Sequence, residues 1–249
     1  MERILIVLFI TAFLVLNASV VTGQKLMKLD TDLKGNSEFL EVKRKAVTTM
    51  PIKYTYGPYR IVSGKTGWTK SKSNTKFFSW ETKIESKKKS SLVFVGHDKD
   101  TVTVNMSTNT SMRELNVSDW SMLSESTENF AAIMNTSLDT VTWRLMLVSR
   151  SGADVEGNFR AQGVITNGTH EIQIREVKQW EGGKGAAFKS IIGYEYFNGN
   201  QSIGAVQASP DTFQKRFVWL RKDLDEQTKL VLAAASAAIM NRVDDSLGE

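Results

Sequence analysis

Apolar and polar residues alternate along most of the chain between residues 38 and 220. Residues 101–106 place valine and methionine on one side and threonine and asparagine on the other, and residues 141–147 and 170–175 follow the same period of two. A period of two with one apolar face is typical of a half-buried antiparallel strand. We expect about a dozen strands, at the short spacing of a sandwich or a barrel.

The connections between these runs support hairpins. Asn167 and Gly168 separate one pair of runs, and Asn198 and Gly199 separate another. Because Asn and Gly accept the positive φ angles of two-residue loops, both pairs predict β-hairpins. Residues 108–127, in which Ser, Asn and Thr cluster, predict a long exposed loop, or a loop with a short helix.

A helix is predicted near the C-terminus. Residues 230–240 are apolar except for Ser236, and they are rich in Ala and Leu, which are strong helix formers. Asp225 precedes this run and is expected to cap the helix. A helix that is apolar on all sides has to be buried on all sides. We therefore expect it to lie inside a closed barrel, or else on one sheet beneath a partner chain.

The predicted fold is mainly β, a closed antiparallel β-barrel of about twelve strands around a buried C-terminal α-helix. The core helix residues are Leu230, Leu232, Ile239 and Met240. Because these side chains would plug the barrel, we expect no empty lumen of the kind that carrier barrels use.

The N-terminus has the pattern of a secretory signal peptide. Residues 4–16 carry no charge, follow a short charged start, and lead to a small-residue exit. We predict a signal peptide at 1–23, cleavage between Gly23 and Gln24, a loose lead-in at 24–37 and one barrel domain at 38–249. The apolar block is shorter than the ~20 residues of a comfortable membrane span, which disfavours the alternative of an uncleaved anchor.

Six Asn-x-Ser/Thr triplets follow the signal segment, more than chance would give. They predict exposed N-glycosylation sites in a eukaryotic secretory protein, and the alternative is that Asn-rich and Thr-rich loops form triplets that stay unmodified. The asparagines are Asn105, Asn109, Asn116, Asn135, Asn167 and Asn200.

Composition excludes several chemistries. The chain has no cysteine, so disulfides, thiolate nucleophiles and cysteine-ligated metals are excluded. Its two histidines, His97 and His170, have no second ligand at metal spacing and are interpreted as surface residues. We predict no catalytic residues, no metal site and no cofactor.

The net charge of +5 is unevenly distributed, because lysines and aromatic residues interleave between residues 65 and 89. Such a region can contact anionic lipid or glycan. The alternative is a solvated face of a sheet whose aromatic residues point into the core. No nucleic acid partner is predicted for a secreted chain. The candidate binding lysines are Lys70, Lys72, Lys76, Lys87, Lys88 and Lys89.

The C-terminal region resembles a known superfamily. Residues 194–206, 216–225 and 230–240, with Asp244 just beyond, resemble the hairpin, the final strand with its acidic turn, and the core helix of the LURP-one-related proteins. These belong with the tubby proteins and the phospholipid scramblases. The resemblance implies a barrel threaded by an apolar helix.

The proteins that this region resembles work in the cytoplasm. There the tubby proteins bind phosphoinositides, and the scramblases act at the inner leaflet of the membrane. This chain lacks the Gln-Ala-Phe-Ala-Ile ending of the tubby proteins and the proline-rich and cysteine-rich segments of the scramblases. The fold can therefore be carried over, whereas the lipid-binding residues cannot.

The first functional hypothesis is a secreted, non-enzymatic binding protein that contacts anionic lipid or glycan and is not an integral membrane protein after signal cleavage. One alternative is a secreted hydrolase on a β-sandwich, with two carboxylates about 5–10 Å apart in a cleft. Another is a scramblase-like protein that associates with lipid.

Overall fold

The structure, a computed structural model, describes residues 25–45, 53–75, 81–117, 120–152, 160–183, 191–209 and 215–247. The predicted signal peptide, its cleavage point at Gly23 and Gln24, and Lys76 lie outside these residues. The described strands are β1 (Ser37–Glu41), β2 (Lys43–Lys45), β3 (Lys53–Tyr56), β4 (Tyr59–Thr66), β5 (Lys70–Thr75), β6 (Glu81–Val95), β7 (Thr101–Val117), β8 (Trp120–Thr136), β9 (Thr142–Gly152), β10 (Arg160–Thr166), β11 (Glu171–Val177), β12 (Gly193–Asn198), β13 (Gln201–Gln207) and β14 (Phe217–Arg221). The helices are α1 (Thr31–Asn36) and α2 (Glu226–Leu247).

All of these strands belong to one antiparallel sheet. Their order is β1-β14-β13-β12-β11-β10-β9-β8-β7-β6-β4-β3-β2, and β5 pairs with β6 beside β4. The two ends of this order, β1 and β2, are separated in the chain by Val42 alone. The Val42 backbone N–H donates to the Arg216 carbonyl at 2.9 Å. The sheet therefore curls back on itself into a nearly closed barrel.

The α2 helix fills the inside of this barrel. Every residue from 230 to 240, including Leu230, Leu232, Ile239 and Met240, is at most 2 % exposed. The helix contacts β7 and β8 on one side and β13 and β14 on another. The predicted fold class is confirmed, with thirteen strands along the sheet order instead of about twelve. The alternative of a β-sandwich is wrong.

The start of α2 is defined by the predicted cap. Asp225 Oδ1 accepts a hydrogen bond from the Thr228 backbone N–H at 2.8 Å, and Asp225 Oδ2 accepts one from the Thr228 hydroxyl at 2.7 Å. The helix continues seven residues beyond the apolar run to Leu247. Neither described helix combines the length and the apolar content that a membrane crossing requires.

The alternation in sequence becomes alternation across the barrel wall. On β9, Trp143, Leu145 and Leu147 are buried, whereas Arg144 and Met146 face outward. The predicted hairpins are also confirmed, because Gly168 and Gly199 have φ angles of +94° and +60° and lie between paired strands.

The predicted loop at residues 108–127 is wrong for most of its length. Strands β7 and β8 continue through it and pair from Val102↔Thr136 to Val117↔Trp120. Threonine has a high strand propensity, and a long hairpin can be polar on both faces where it extends away from a core. Such strands lack the apolar alternation by which strands are recognised in a sequence.

Residues 25–36, predicted as a loose lead-in, run along the outside of the barrel over β12, β13 and β14. Met27 and Leu33 are fully buried there, against a cluster that includes Phe217 and Trp219. The segment is also held by backbone hydrogen bonds, such as Lys28 N–H to the Gln179 carbonyl at 2.8 Å. Its apolar residues, spaced between polar ones, were the signal for this packing.

Candidate functional site

The predicted binding lysines lie on β5 and β6, and the strand alternation divides them. On β6, Lys87 and Lys89 are exposed, whereas Lys88 between them points toward the inside. Lys88 Nζ lies 3.3 Å from Asp245 Oδ1 near the end of α2, and its side chain is only 17 % exposed. Lys88 therefore connects the barrel wall to the helix, and its assignment to the binding surface is a correction required by strand geometry.

The remaining lysines form an exposed basic face. Lys70 and Lys72 on β5 are exposed, and Lys70 lies directly opposite Lys87 in the ladder. Lys72 lies opposite Glu85, whose pKa is lowered mainly by a hydrogen bond from Lys83 and by the charge of Lys83. Directly opposed like charges destabilise a sheet, so the Lys70 and Lys87 pair concentrates positive charge at a cost to stability.

This basic face is concave. A groove of about 400 Å³ runs across the outer side of β5, β6 and β7 as far as β8. Its charged lining residues are Lys70, Lys72, Lys87 and Glu85, and its other lining residues are Ser86, Asn109, Thr110, Ser111 and Asn129. In the loop between β4 and β5, Trp68 is 93 % exposed. The groove can accept an anionic group with lysine and amide donors on several sides.

Five of the six predicted glycosylation asparagines have described side chains. Asn105, Asn109, Asn135 and Asn200 are exposed, and Asn167 is half-buried in the β10–β11 turn. The side chain of Asn116 is not among those described. Asn109 lies directly opposite Lys87 in the β6–β7 ladder. A glycan at this position would therefore stand at the edge of the basic groove.

Neither histidine is part of a metal cluster. His97 is exposed and contacts Asp98, and the hydrogen bond that its ring donates to this carboxylate raises the pKa of His97. His170 is exposed at the start of β11, where its ring stacks on Trp143 at 6.5 Å between centroids. Within the described ranges, no group of three or more His, Asp or Glu side chains is arranged to hold a metal ion.

Buried polar clusters at the end of α2 are absent from the sequence-based prediction. Asp244 accepts hydrogen bonds from Arg216, at 2.7 Å, and from the Tyr54 hydroxyl. Burial and the charge of Asp244 raise the pKa of Tyr54. These groups satisfy one another and fasten the helix to the barrel wall. In the sequence, the only sign of these clusters was the resemblance to the LURP-one-related proteins, which includes Asp244 just beyond the core helix.

Arg242 forms a second cluster one half-turn earlier on the helix. Its guanidinium donates to Glu128, to the Ser149 hydroxyl at 2.8 Å and to the Tyr194 hydroxyl at 3.1 Å. Burial lowers the pKa of Arg242, but the charges of Tyr194 and Glu128 and their hydrogen bonds outweigh it, so the net shift is upward. This arginine is therefore a charged structural anchor.

The surface is concave at the opposite end of the barrel, where α2 begins. A cavity of about 680 Å³ lies there between the first turn of α2 and the ends of β9, β11 and β13. The space opens to solvent beside the exposed residues Thr169, His170 and Glu171, so it is a concavity at the mouth of the barrel and not an enclosed lumen. The helix begins only at Glu226, and the buried residues Trp143, Ile172 and Ile203 of the barrel wall line the space beside it.

Comparison of the chain with protein-family models, with curated proteins and with solved structures finds no match.

Proposed function

We propose that the chain is a secreted N-glycosylated protein of the tubby-like superfamily that binds anionic surfaces and performs no catalysis. The surface that binds is the basic face formed by Lys70, Lys72, Lys87 and Lys89, and its ligand presents sulfate or phosphate groups. The observation that carries the proposal is the direct opposition of Lys70 and Lys87 at the edge of a concave groove.

Physical chemistry supports this function for the basic face. Lys70, Lys87 and Lys89 are exposed and form no ion pair with any acid of the described residues. An anion placed between Lys70 and Lys87 would relieve their mutual repulsion as well as gain its own attraction. Since the charges are exposed, the attraction should weaken strongly as salt increases.

The test uses the full chain from a eukaryotic secretory host. Binding is measured by the NaCl concentration that elutes the protein from immobilised heparin, and by co-sedimentation with phosphatidylserine and with phosphatidylcholine vesicles. The double variant Lys70→Glu/Lys87→Glu removes the basic face. The control Lys99→Glu/Lys222→Glu makes the same change of charge at exposed positions outside the groove.

We expect the wild-type protein and the control to bind at low salt to heparin, to phosphatidylserine vesicles, or to both, and the Lys70/Lys87 variant to lose most of this binding. Retention on heparin alone identifies a sulfated glycan, and sedimentation with phosphatidylserine alone identifies a lipid headgroup. Equal losses in the two double variants would show that only net charge matters. That outcome, or no binding of the wild type to either probe, overturns the proposal.

The predicted glycan at Asn109 supplies a second test of the same groove. Asn109 lines the groove and faces Lys87 across the ladder. Replacing Asn109 by Gln removes a glycan acceptor while keeping an amide at the groove edge. If Asn109 is glycosylated, the variant should run at lower mass on a denaturing gel and bind heparin or vesicles more tightly, because the groove becomes more accessible.

A further inference from the structure

Apolar side chains are grouped on the outer face of the barrel, where β8, β9 and β10 lie side by side. Ile133 and Met146 are each 46 % exposed, and Val148 is 37 % exposed. The ladder places Met146 directly opposite Ala131 on β8 and directly opposite Val164 on β10. Opposed side chains lie about 4.5–5.5 Å apart between Cβ atoms, so these residues form one continuous surface. We call this surface the outer apolar patch, and its members are Ala131, Ile133, Met146, Val148 and Val164.

Three of the predicted glycosylation asparagines lie on the same face of the sheet. Asn105 on β7 is directly opposite Ile133, and Asn135 follows Ile133 by two residues on the same side of β8. Asn109 follows Asn105 by four residues on the same side of β7. All three asparagines are exposed. The predicted glycan acceptors therefore border the outer apolar patch along β7 and β8.

The surroundings of Asn105 differ on its two sides. On the β6 side it is directly opposite Ser91, with Lys89 and the half-buried Val93 as the next outward residues of that strand. On the β8 side it is directly opposite Ile133, where the outer apolar patch begins. An N-acetylglucosamine ring carries C–H groups on its faces and polar groups around its edge. A glycan on Asn105 therefore gains the larger apolar contact when it lies toward β8.

The size and border of the outer apolar patch suit a sugar better than a protein partner. The patch presents roughly 300 Å², whereas a stable protein interface needs about 800 Å² on each partner. Exposed hydrogen-bonding side chains lie directly opposite patch residues in the ladder, namely Asn129, Arg144 and Gln162, and they can bond sugar hydroxyl groups. A glycan joined to Asn105 is held beside the patch at a high effective concentration, so a small contact area suffices.

We propose that the N-glycan of Asn105 lies across the outer apolar patch and shields it from water. The first sugar rings cover Ile133 and reach Met146, and their hydroxyl groups contact Arg144 at the border. The glycan stabilises the fold and keeps the patch from contacting other molecules. This inference rests on the N-glycosylation in the proposed function, but it does not depend on the basic face or on the ligand of that face.

The experiment uses the full chain secreted by a eukaryotic host. Asn105→Gln and Ser107→Ala each remove the acceptor triplet at residues 105–107, and Ser107→Ala keeps the asparagine. The matched control Asn200→Gln removes the acceptor in the turn between β12 and β13, outside the patch. The mass of each variant on a denaturing gel shows if its acceptor carries a glycan. Nile red fluorescence measures exposed apolar surface, and this neutral dye has no charge attraction to the basic face.

We expect Asn105→Gln and Ser107→Ala to run at lower mass than the wild-type protein. Both should raise Nile red fluorescence about twofold or more and lower Tm by about 2–4 °C, because the patch loses its cover. Asn200→Gln should change neither quantity. Adding Ile133→Thr and Met146→Thr to Asn105→Gln should return the fluorescence to the wild-type level, because threonine keeps a high strand propensity and removes most of the apolar surface. Far-UV circular dichroism checks that this triple variant is folded.

Three results would overturn the proposal. The first is an unchanged mass of Asn105→Gln, which means that Asn105 carries no glycan. The second is a lower mass with no change in fluorescence and Tm, or with changes equal to those of Asn200→Gln, which means that the glycan does not cover the patch. The third is a wild-type dimer in light scattering that Met146→Glu dissociates, which places a second copy of the chain on the patch.

These results are distinguishable from a failure of the proposed function. Binding of heparin and vesicles tests the basic face separately, and Asn105 does not line the groove of that face. The second and third results leave the glycosylation and the basic face unaffected. Only the first also counts against the glycosylated state of the chain, and it does so at this one acceptor.

Discussion

Arg216 Nη2 donates a hydrogen bond of 2.7 Å to Asp244 Oδ1, and this pair joins the residue before β14 to the last turns of α2. The two side chains are only 9 % and 2 % exposed. The Tyr54 hydroxyl donates to the other carboxylate oxygen of Asp244. The helix end is thus attached to two strands that lie near the point where the barrel closes.

Removing Asp244 should destabilise the fold strongly. We expect Asp244→Ala to lower the free energy of unfolding by about 3–5 kcal/mol, because Arg216 is left buried without its anion. Urea unfolding followed by circular dichroism measures the change. The control is Asp223→Ala, which removes a 65 % exposed partner of Arg221 and should cost about 0–1 kcal/mol. Similar losses in the two variants would contradict a buried, essential pair.

Glu195 should make stability depend on pH. Burial raises the pKa of Glu195 above its ordinary value of 4.5, although Ser202 and the Asp30 backbone N–H donate to it. The folded protein therefore holds the proton of the Glu195 carboxyl more tightly than the unfolded chain does. The contribution of protonated Glu195 to the free energy of unfolding is therefore complete below the ordinary pKa of a glutamate. It is lost as pH rises from there through the pKa of Glu195 in the folded protein.

The measurement compares urea midpoints of the wild type and Glu195→Gln from acid to neutral pH. Because Gln cannot ionise, the stability of the wild type relative to the variant should fall as pH rises above about 4.5 and then level off. The contributions of the other titrating groups are the same in both proteins and cancel in this difference. A difference that stays constant, or that grows with pH, contradicts the assignment.

Neighbouring alanines on β8 test the enclosure of the helix. Ala132 is 1 % exposed and belongs to the core inside the barrel, whereas Ala131 is exposed on the outer face. We expect Ala132→Leu to cost about 1–3 kcal/mol of unfolding free energy through overpacking, and Ala131→Leu to change it by less than about 0.5 kcal/mol. Thermal or urea unfolding compares them. Equal tolerance at both positions would mean that the helix does not fill the barrel.

Adjacent lysines on β6 should differ in role. Lys87→Gln should lower the NaCl concentration that elutes the protein from heparin, because Lys87 lines the groove. Lys88→Gln should leave elution unchanged and lower the unfolding free energy by up to about 1 kcal/mol, because Lys88 contacts Asp245. Heparin elution and urea unfolding of both variants separate the two effects. The interpretation fails if Lys88→Gln shifts elution as far as Lys87→Gln does.

The sequence alone determined the features that local order encodes. The alternation at Trp143, Leu145 and Leu147 predicts one buried face, and Gly168 and Gly199 mark hairpin turns that the structure confirms. The apolar run at 230–240 predicts a helix buried on all sides, because no polar side exists to face water. Within an all-β chain, these local signals were enough to predict a barrel around a helix.

Only the tertiary structure decided which distant residues meet. The run of three lysines does not show by itself that Lys88 faces Asp245 while Lys87 and Lys89 face water, because strand register decides which side of the sheet each lysine faces. Closure at Val42, the Arg216–Asp244 pair and the cavity beside Trp143 likewise depend on contacts between residues far apart in the chain. Sequence pattern specifies local geometry and burial, whereas register and the way the sheet closes arise from packing of the whole chain.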